Sequence, residues 1–293
     1  MIIEELARGS GALATIVTTH LAAAGAIGRF GTAEQRERLL APMTRGELLG
    51  AVAFADGVVA TPAGEDWILD GVVPLVDHGA HVAGVLVRAA SPAGATCFLV
   101  GRETPGLRVG AAVPTLGLRG LDPCPLHFER CRVPSRELLG GVPGRGDVHE
   151  AAGRSIARLG VAATALGLAQ AAFEAALRYS QQRTTFGKPI AQHQAIQLTL
   201  ADMATRITAA RLLAYDAAGD QIDDVRMAMA KVYASETAYE VTLASMRVHG
   251  GYGYTSEFPV ERYYRDAARL ASYPTTNAAE RRDLACRLVA APR

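Results

Sequence analysis

The stretch YSQQRTTFGKPIAQHQAIQLTLADMATRITAARLLAY, residues 179–215, decides the fold. It contains a turn at Phe186-Gly187-Lys188-Pro189, where glycine can adopt a positive φ and proline disfavours helix at the residue before it. Beyond the turn, apolar residues recur at steps of three and four, at Ile196, Leu200, Met203, Ile207, Ala210 and Leu213. This spacing predicts a long helix with one buried face.

Polar side chains gather around the same turn. Arg183 precedes it, Thr185 lies within it, and His193 and Gln194 follow it. A guanidinium held beside a turn, with further hydrogen-bonding side chains nearby, suits a phosphate or pyrophosphate group. The stretch therefore predicts an anion-binding site.

A second stretch, AKVYASETAYEVTLASMRVHGGYGYTSEFPVERYYRDA, covers residues 230–267. Its GGxGY turn and PxERxYRDA segment, together with RxxFGxPIxxxQxIQxxLADM in the first stretch, resemble the C-terminal helical domain of acyl-CoA dehydrogenases, which are flavoenzymes. The two stretches are long, in the family's order and correctly spaced. They are therefore far more specific than an isolated GGxG would be.

Composition narrows the function classes. The chain has 293 residues and a net charge of +1, which fits two or three domains and does not suggest a nucleic-acid partner or an anionic membrane surface. Its longest apolar runs contain Gly, His or Arg, so we expect no membrane span. The N-terminus lacks the features of a signal peptide, and a cytoplasmic location is expected. Four cysteines without a CxxC pair predict free thiols and no metal site: Cys97, Cys124, Cys131 and Cys286.

The predicted fold is mainly α with a small β domain, as the resemblance implies. Residues 1–50 read as a truncated N-terminal helical domain, in which Gly31 ends one helix and Thr32 caps the next with Gln35 at the capping-box position. Residues 51–145 hold short β-rich runs and predict a middle antiparallel β domain. The runs are GAVAFA, DWILDGVVPLV, VAGVLVRAA, TCFLVG, LRVGAAV and PLHFERCRV. Residues 146–293 predict a C-terminal four-helix domain, after a Gly/Pro-rich connection at 141–150. Its helices are expected at about 151–183, 190–219, 221–250 and 257–290.

The resemblance also implies a chemistry whose base is missing here. In the family a Glu takes the α-proton of an acyl thioester while the flavin takes the β-hydride. At the two places where the family carries this Glu, the chain has Pro274 and Ala157, and neither can accept a proton. Glu280 lies further on and is expected in a helix cap or on a solvated face.

The flavin-binding positions implied by the resemblance divide into an altered half and a retained half. On the flavin-ring side, Leu75 replaces the family's stacking Trp, Asp77 replaces a Thr or Ser, and the loop at 53–57 is shortened. On the nucleotide side, Arg247 replaces a Gln, and the other positions match. The cofactor-binding residues predicted there are Arg183, Thr185, Phe186, Ile190, His193, Gln194, Arg247, Gly250, Gly251 and Thr276. In the family this half of the site is held by a neighbouring subunit.

Three hypotheses follow. In the first, the chain is the non-catalytic subunit of a heteromeric FAD-dependent acyl-CoA dehydrogenase, like the two-gene enzymes of steroid and polyketide pathways in high-GC bacteria. It would then share FAD with another acyl-CoA dehydrogenase-like chain and act on a CoA or acyl-carrier thioester. In the second, it uses no flavin and catalyses a cyclisation, dehydration or addition. The candidate residues, which the resemblance maps near the vacated flavin and acyl site together with Asp56, are Asp77, His78, Arg158 and Tyr273. In the third, it is a scaffold without chemistry. A conventional homo-oligomeric dehydrogenase would require a base that the sequence does not reveal.

Overall fold

The computed structural model describes residues 1–219 and 223–290, and it separates into two compact units. The helical unit consists of Met1–Thr15, Thr115–Gly120 and Arg158–Arg293. The β-containing unit consists of Ile16–Pro114 and Leu121–Ala157. The predicted fold class, mainly α with a smaller β part, is confirmed. The division into three domains at residues 50 and 145 stays a prediction.

The first 44 residues are helical, as predicted. The elements are α1 (Ile2–Gly9), α2 (Gly11–Phe30), α3 (Ala33–Gln35), a π-helical turn (Arg36–Leu40) and α4 (Ala41–Thr44). The predicted capping box is present, because the Thr32 side chain accepts from the Gln35 N–H and the Gln35 side chain accepts from the Thr32 N–H. Gln35 Nε2 also donates to Leu138 O at 2.6 Å. The cap therefore also fixes this helix against the segment that follows the sheet.

Seven strands form the sheet of the β-containing unit. They are β1 (Gly50–Ala53), β2 (Val58–Ala63), β3 (Asp66–Val76), β4 (Gly84–Ser91), β5 (Gly94–Gly101), β6 (Leu107–Val109) and β7 (Cys124–Pro134). Strand β3 pairs antiparallel with β2 on one side and with β7 on the other. Strand β6 pairs antiparallel with β7, and β5 pairs antiparallel with β4. Most pairs are therefore antiparallel, as predicted, but the sheet is mixed, because β1 pairs with β4 in parallel and Val59 of β2 pairs in parallel with Ala90. Strand β2 was not predicted.

The sheet packs its apolar side chains on both faces. Two clusters of buried apolar side chains result. The larger one consists mainly of side chains from the strands themselves, and its members Leu69 and Phe98 are fully buried. A second cluster joins the C-terminal half of α2 to the sheet, where Ile27 packs with Leu86 and Leu99. The alanine-rich composition of α2 allows this helix to lie close to the strands.

The helical unit is built around long antiparallel neighbours. Its helices are the part of α5 (Gly146–Gln182) from Arg158 onward, α6 (Gln194–Ala217), α7 (Asp224–His249), α8 (Val260–Leu270) and α9 (Asn277–Ala290). Helix α7 packs against α6, α8 and α9, and the Asp223 side chain caps its N-terminus by accepting from the Val225 and Arg226 N–H groups. In α6, Met203, Ile207 and Ala210 are buried on the predicted face.

Two predicted helix boundaries differ from the structure. Helix α5 begins at Gly146, inside the predicted connection. The glycine at this position lets the chain lie against β5, because a Cβ there would come within 2.6 Å of the Thr96 backbone nitrogen. The predicted fourth helix is divided into α8 and α9 by residues 271–276, where Pro274 cannot continue a helix. The predicted start of the third helix, at 221, lies outside the described residues.

Small residues bring α1 and α5 together within the helical unit. A Cβ on Gly167 would lie 2.2 Å from the Glu4 carbonyl oxygen, so only glycine permits this approach. Glu4 also accepts from Arg211 Nη2 at 2.9 Å and from the Tyr215 hydroxyl at 3.0 Å. The small residues in the middle of α5 therefore serve close helix packing.

Helices α2 and α5 are long and apolar enough to cross a membrane, judged by length and composition alone. In the most apolar 18-residue segment of each helix, 56% of the residues of α2 and 72% of those of α5 are buried inside the protein. Core helices commonly show this degree of burial.

Candidate functional site

A cleft of about 420 Å³ opens in the helical unit between the end of α5, the turn before α6 and the end of α7. Half of the ten predicted cofactor-binding residues line it: Arg183, Thr185, Ile190, Gly250 and Gly251. These residues come from two stretches about sixty positions apart in the chain. The structure therefore brings the two motifs together, which the sequence alone could not show.

The turn before α6 is a small β-hairpin. Strands β8 (Thr184–Thr185) and β9 (Lys188–Pro189) pair across Phe186 and Gly187, whose φ angles are 49° and 77°. Two consecutive positive φ values are typical of a tight hairpin turn and explain the glycine. The Ile190 N–H donates to Arg183 O at 2.8 Å, which closes the base of the hairpin. The hairpin thereby holds Arg183 and Thr185 at the mouth of the cleft.

The hairpin leaves Phe186 almost wholly in solvent, with 95% of its surface exposed. His193, which follows the hairpin, immediately precedes α6 and lies 3.4 Å from the Thr185 hydroxyl through Nε2. The first N–H groups of a long helix carry partial positive charge, so an anion near His193 would be stabilised. Gln194, the first residue of α6, is exposed and does not line the cleft.

The opposite wall is the Gly250-Gly251 turn that ends α7. Gly250 has φ 60° and ψ −133°, a conformation that a side chain disfavours, and a Cβ at either glycine would meet nothing within 4 Å. The backbone is thus open to close approach by a ligand. Arg247 lies one turn earlier on α7 and is exposed.

Charge favours an anionic ligand in this cleft. Arg183 lines the cleft, whereas Arg247 does not, and neither has an ion-pair partner among residues 1–219 and 223–290. By contrast, Arg206 and Arg211 of α6 are paired with Glu240 and Glu4. An unpaired guanidinium beside open backbone N–H groups suits phosphate oxygens. Thr276 is not part of this arrangement, since its hydroxyl accepts from the Ala279 N–H at the start of α9.

Sequence reasoning missed the aromatic wall of the cleft. Tyr179, His249 and Tyr252 line it, and Tyr179 stacks on His249 with ring centroids 4.3 Å apart. His249 is buried, and Nδ1 donates to Ser245 O at 2.8 Å. Burial lowers the pKa of His249 and keeps the ring neutral at neutral pH. The aromatic residues beside the Gly-Gly turn were the available signal.

The turn at 271–276, to which the resemblance assigns the base, rests on a buried polar network. Lys231 is fully buried, and Nζ donates to Thr275 O at 2.7 Å and to Asn277 Oδ1 at 2.6 Å. Glu280 is fully buried and accepts two hydrogen bonds from Arg158. Glu280 lies in the first turn of α9, but the expectation of a solvated face is wrong, because both carboxylate oxygens accept from the buried Arg158 guanidinium.

Asp77 and His78 occupy a buried turn of the β-containing unit, whereas Arg158 and Tyr273 belong to the helical unit. His78 has φ 43° and is 1% exposed. Its Nε2 lies 3.3 Å from Gly50 O, and burial lowers its pKa. His78 is thus packed against backbone and neutral, and its role as an acid or base stays a prediction.

The flavin-ring side shows how the altered residues are used. Asp56, in the shortened loop, pairs with Arg88 at 2.8 Å, and Arg88 also pairs with Asp147 and Glu150. Leu75 is 46% exposed near the end of β3. The cleft of the helical unit, referred to below as the nucleotide cleft, has a free guanidinium and open backbone that suit the phosphate part of a flavin dinucleotide. The flavin-ring side presents instead a leucine and a carboxylate that is already paired.

Comparison with known proteins places these features in a family. Family models described as "Acyl-CoA dehydrogenase, C-terminal domain" and "Acyl-CoA dehydrogenase, N-terminal domain" match residues 152–289 and 1–47. The chain is 36% identical to the short-chain specific acyl-CoA dehydrogenase of Bos taurus mitochondria, over 95% of this chain and 72% of that protein. The chain belongs to the acyl-CoA dehydrogenase family.

Solved acyl-CoA dehydrogenase structures share the fold closely. The butyryl-CoA dehydrogenase of Megasphaera elsdenii superposes with a TM-score of 0.95 at 32% identity, covering 98% of this chain and 80% of that one. A protein described as an FAD-dependent dehydrogenase superposes with a TM-score of 0.94 at 28% identity, covering 98% of this chain and 83% of that one. The family resemblance stated from the two motifs is confirmed.

Proposed function

We propose that this chain is the partner subunit of a heteromeric FAD-dependent acyl-thioester dehydrogenase. It contributes the nucleotide side of an FAD site and no catalytic base. The second subunit, another acyl-CoA dehydrogenase-like chain, supplies the glutamate and the flavin-ring pocket. FAD, when bound, supplies the acceptor for the hydride that leaves the substrate.

One contrast carries the proposal. The cleft keeps Arg183 and the Gly250-Gly251 turn in a form that suits a pyrophosphate, while the two base positions hold Pro274 and Ala157. Ala157 is 1% exposed and Pro274 has no ionisable group, so neither position can exchange a proton with a substrate. Among nearby acids, Glu280 is held by Arg158 and is unsuited to act as a base.

Exposed apolar residues on the hairpin and on α6 support a protein partner. Phe186 is 95% exposed, and on α6 Leu198 and Leu212 are 60% and 69% exposed. Leu198 and Leu212 share one face of α6, and an exposed apolar face favours contact with another protein surface. A second chain lying there would also bring its own FAD beside Arg183.

The test measures flavin content in the co-expressed complex. The chain is expressed together with a second acyl-CoA dehydrogenase-like chain from the same genome, and flavin absorbance per chain is recorded for Arg183→Ala and Arg178→Ala. Arg178 is also exposed and lies on the preceding turn of α5, but it does not line the cleft. We expect Arg183→Ala to lower FAD affinity about tenfold and Arg178→Ala to leave it unchanged.

Equal flavin content in both variants would remove Arg183 from the site. A complex that forms and turns over an acyl thioester without flavin would instead favour the cofactor-free hypothesis. In that case, the prediction for Asp77 and His78 would be tested next.

A further inference from the structure

The β-containing unit holds a cavity of about 530 Å³ that shares no residue with the nucleotide cleft. Its floor is apolar and is formed by Ile27 of α2, Met43 of α4, Leu86 of β4 and Leu99 of β5. These four side chains are at most 7% exposed, so the floor is part of the packed core. The volume lies within the range of small-molecule sites, about 300–1,000 Å³.

Charged side chains stand at the rim of this cavity: Arg38, Glu103, Arg132, Arg136 and Glu137. Two of them are balanced by neighbours outside the cavity. Arg132 Nε lies 2.6 Å from Asp66 Oδ2, and Glu103 lies 3.9 Å from Arg102. The remaining charges are those of Arg38, Arg136 and Glu137.

These three charges leave an excess of one positive charge at the rim. Glu137 Oε2 lies 2.7 Å from Arg38 Nη2, and Oε1 lies 3.5 Å from Arg136 Nε. One carboxylate is thus shared by two guanidinium groups. The side chains of Arg38 and Arg136 are 43% and 69% exposed, which leaves donors on both for a second anion.

The backbone at the rim is unusual as well. Arg38 and Leu39, which both line the cavity, lie in the π-helical turn Arg36–Leu40 between α3 and α4. Single π-helical turns are rare within α-helices and occur frequently at functional sites. This turn places a cationic and an apolar side chain at the same opening.

We propose that this cavity binds an aliphatic carboxylate. The hydrocarbon chain lies on the floor formed by Ile27, Leu86 and Leu99, and the carboxylate is held at the rim by Arg38 and Arg136. An apolar floor favours a hydrocarbon chain over water, and the excess positive charge selects an acid over a neutral molecule. The site is independent of the proposed flavin-sharing role.

The test uses simple probes on the full chain. Binding of hexanoate, decanoate and decan-1-ol is measured by isothermal titration calorimetry. We expect one decanoate per chain, with affinity rising about fourfold per added methylene, and weaker binding of the alcohol. Arg38→Gln should weaken decanoate about tenfold and leave decan-1-ol unchanged.

Two tryptophan variants locate the site. Ala83 is exposed yet lines the cavity, so Ala83→Trp should block decanoate with little risk to folding. Ala90→Trp, on an exposed position of β4 outside the cavity, should bind normally. Circular dichroism and thermal melts confirm that both variants fold.

The inference is overturned by absence of saturable decanoate binding or by equal binding in the two tryptophan variants. It is also overturned if the alcohol binds as tightly as the acid. If Arg183→Ala weakens decanoate while Ala83→Trp does not, the probe binds in the nucleotide cleft and the inference fails.

Discussion

Arg158 and Glu280 form a two-point ion pair in the interior of the helical unit, with Nε–Oε1 at 3.1 Å and Nη2–Oε2 at 2.6 Å. Their side chains are 3% and 0% exposed. Arg158 Nη1 also pairs with Asp224 at 2.7 Å, so this guanidinium joins α5, α7 and α9. The pair fixes the start of α9, next to the turn that carries Pro274.

Removing the carboxylate should therefore be costly. Glu280→Ala removes the fully buried carboxylate that Arg158 contacts at two points and leaves only the partly exposed Asp224 to balance this buried guanidinium. We expect a loss of about 3 kcal/mol in the free energy of unfolding, measured by urea denaturation. Glu240→Ala, which breaks the exposed Arg206 pair, serves as the control and should cost less than about 1 kcal/mol. Similar losses in both variants would contradict the buried role of Glu280.

Lys231 makes the free energy of unfolding depend on pH in the alkaline range. Burial lowers the pKa of Lys231 from 10.5 to about 8. Between these two values the unfolded chain binds more protons than the folded one, so the contribution of this group to stability rises as pH increases from about 8 to 10.5. We expect the difference in unfolding free energy between wild type and Lys231→Met to rise by about 3 kcal/mol over this window.

An exposed lysine provides the control for this pH dependence of the unfolding free energy. Lys188→Met, at an exposed position of the hairpin, should follow the wild-type pH curve in parallel. If Lys231→Met is also parallel to wild type from pH 8 to 10.5, burial does not lower the pKa of Lys231 and the prediction fails.

The close contact of α1 and α5 gives a third prediction. Gly167→Ala puts a methyl group 2.2 Å from the Glu4 carbonyl oxygen, and we expect it to lower the unfolding free energy by about 1–3 kcal/mol. Gly9→Ala is the matched change, since nothing lies within 4 Å of its Cβ and α1 should gain about 0.5–1 kcal/mol. The packing would be contradicted if thermal melts showed that both variants raise the melting temperature, or that both lower it, relative to wild type.

Arg247 gives a prediction about salt. It is exposed and unpaired among the described residues, near the Gly-Gly turn, so it should attract the FAD phosphates through a screened interaction. We expect Arg247→Gln to weaken FAD binding by the complex about fivefold at low salt, and less at high salt. Equal loss at all salt concentrations would indicate a structural effect instead.

Much of the fold could be predicted because the local patterns were strong. The Thr32–Gln35 capping box and the turn at Gly187 were recognisable from single residues, and β3 was predicted at its observed bounds. Strand direction has no comparable local mark, so the parallel pairing of β1 with β4 was missed. Strand β2 was missed because Thr61 and Pro62 interrupt its apolar alternation.

The site was harder to predict, because burial depends on partners far along the chain. Glu280 was expected near solvent, yet Arg158, more than a hundred residues away, makes its burial possible. The motifs identified Arg183 and Gly250, but they could not show that Tyr179 and His249 stack in the same cleft. The type of a side chain can be read from the sequence, whereas its burial and its partners depend on the packing of the folded chain.

The central claim is that this chain holds the nucleotide side of an FAD site and lacks a base. Its most direct test is the absorbance spectrum and native mass of the chain purified alone and together with a second acyl-CoA dehydrogenase-like chain. We predict no flavin absorbance for the chain alone, and a mixed complex with flavin when both are present. Flavin at one per chain in the isolated protein, with turnover of an acyl-CoA, would contradict the account and make this chain a complete dehydrogenase.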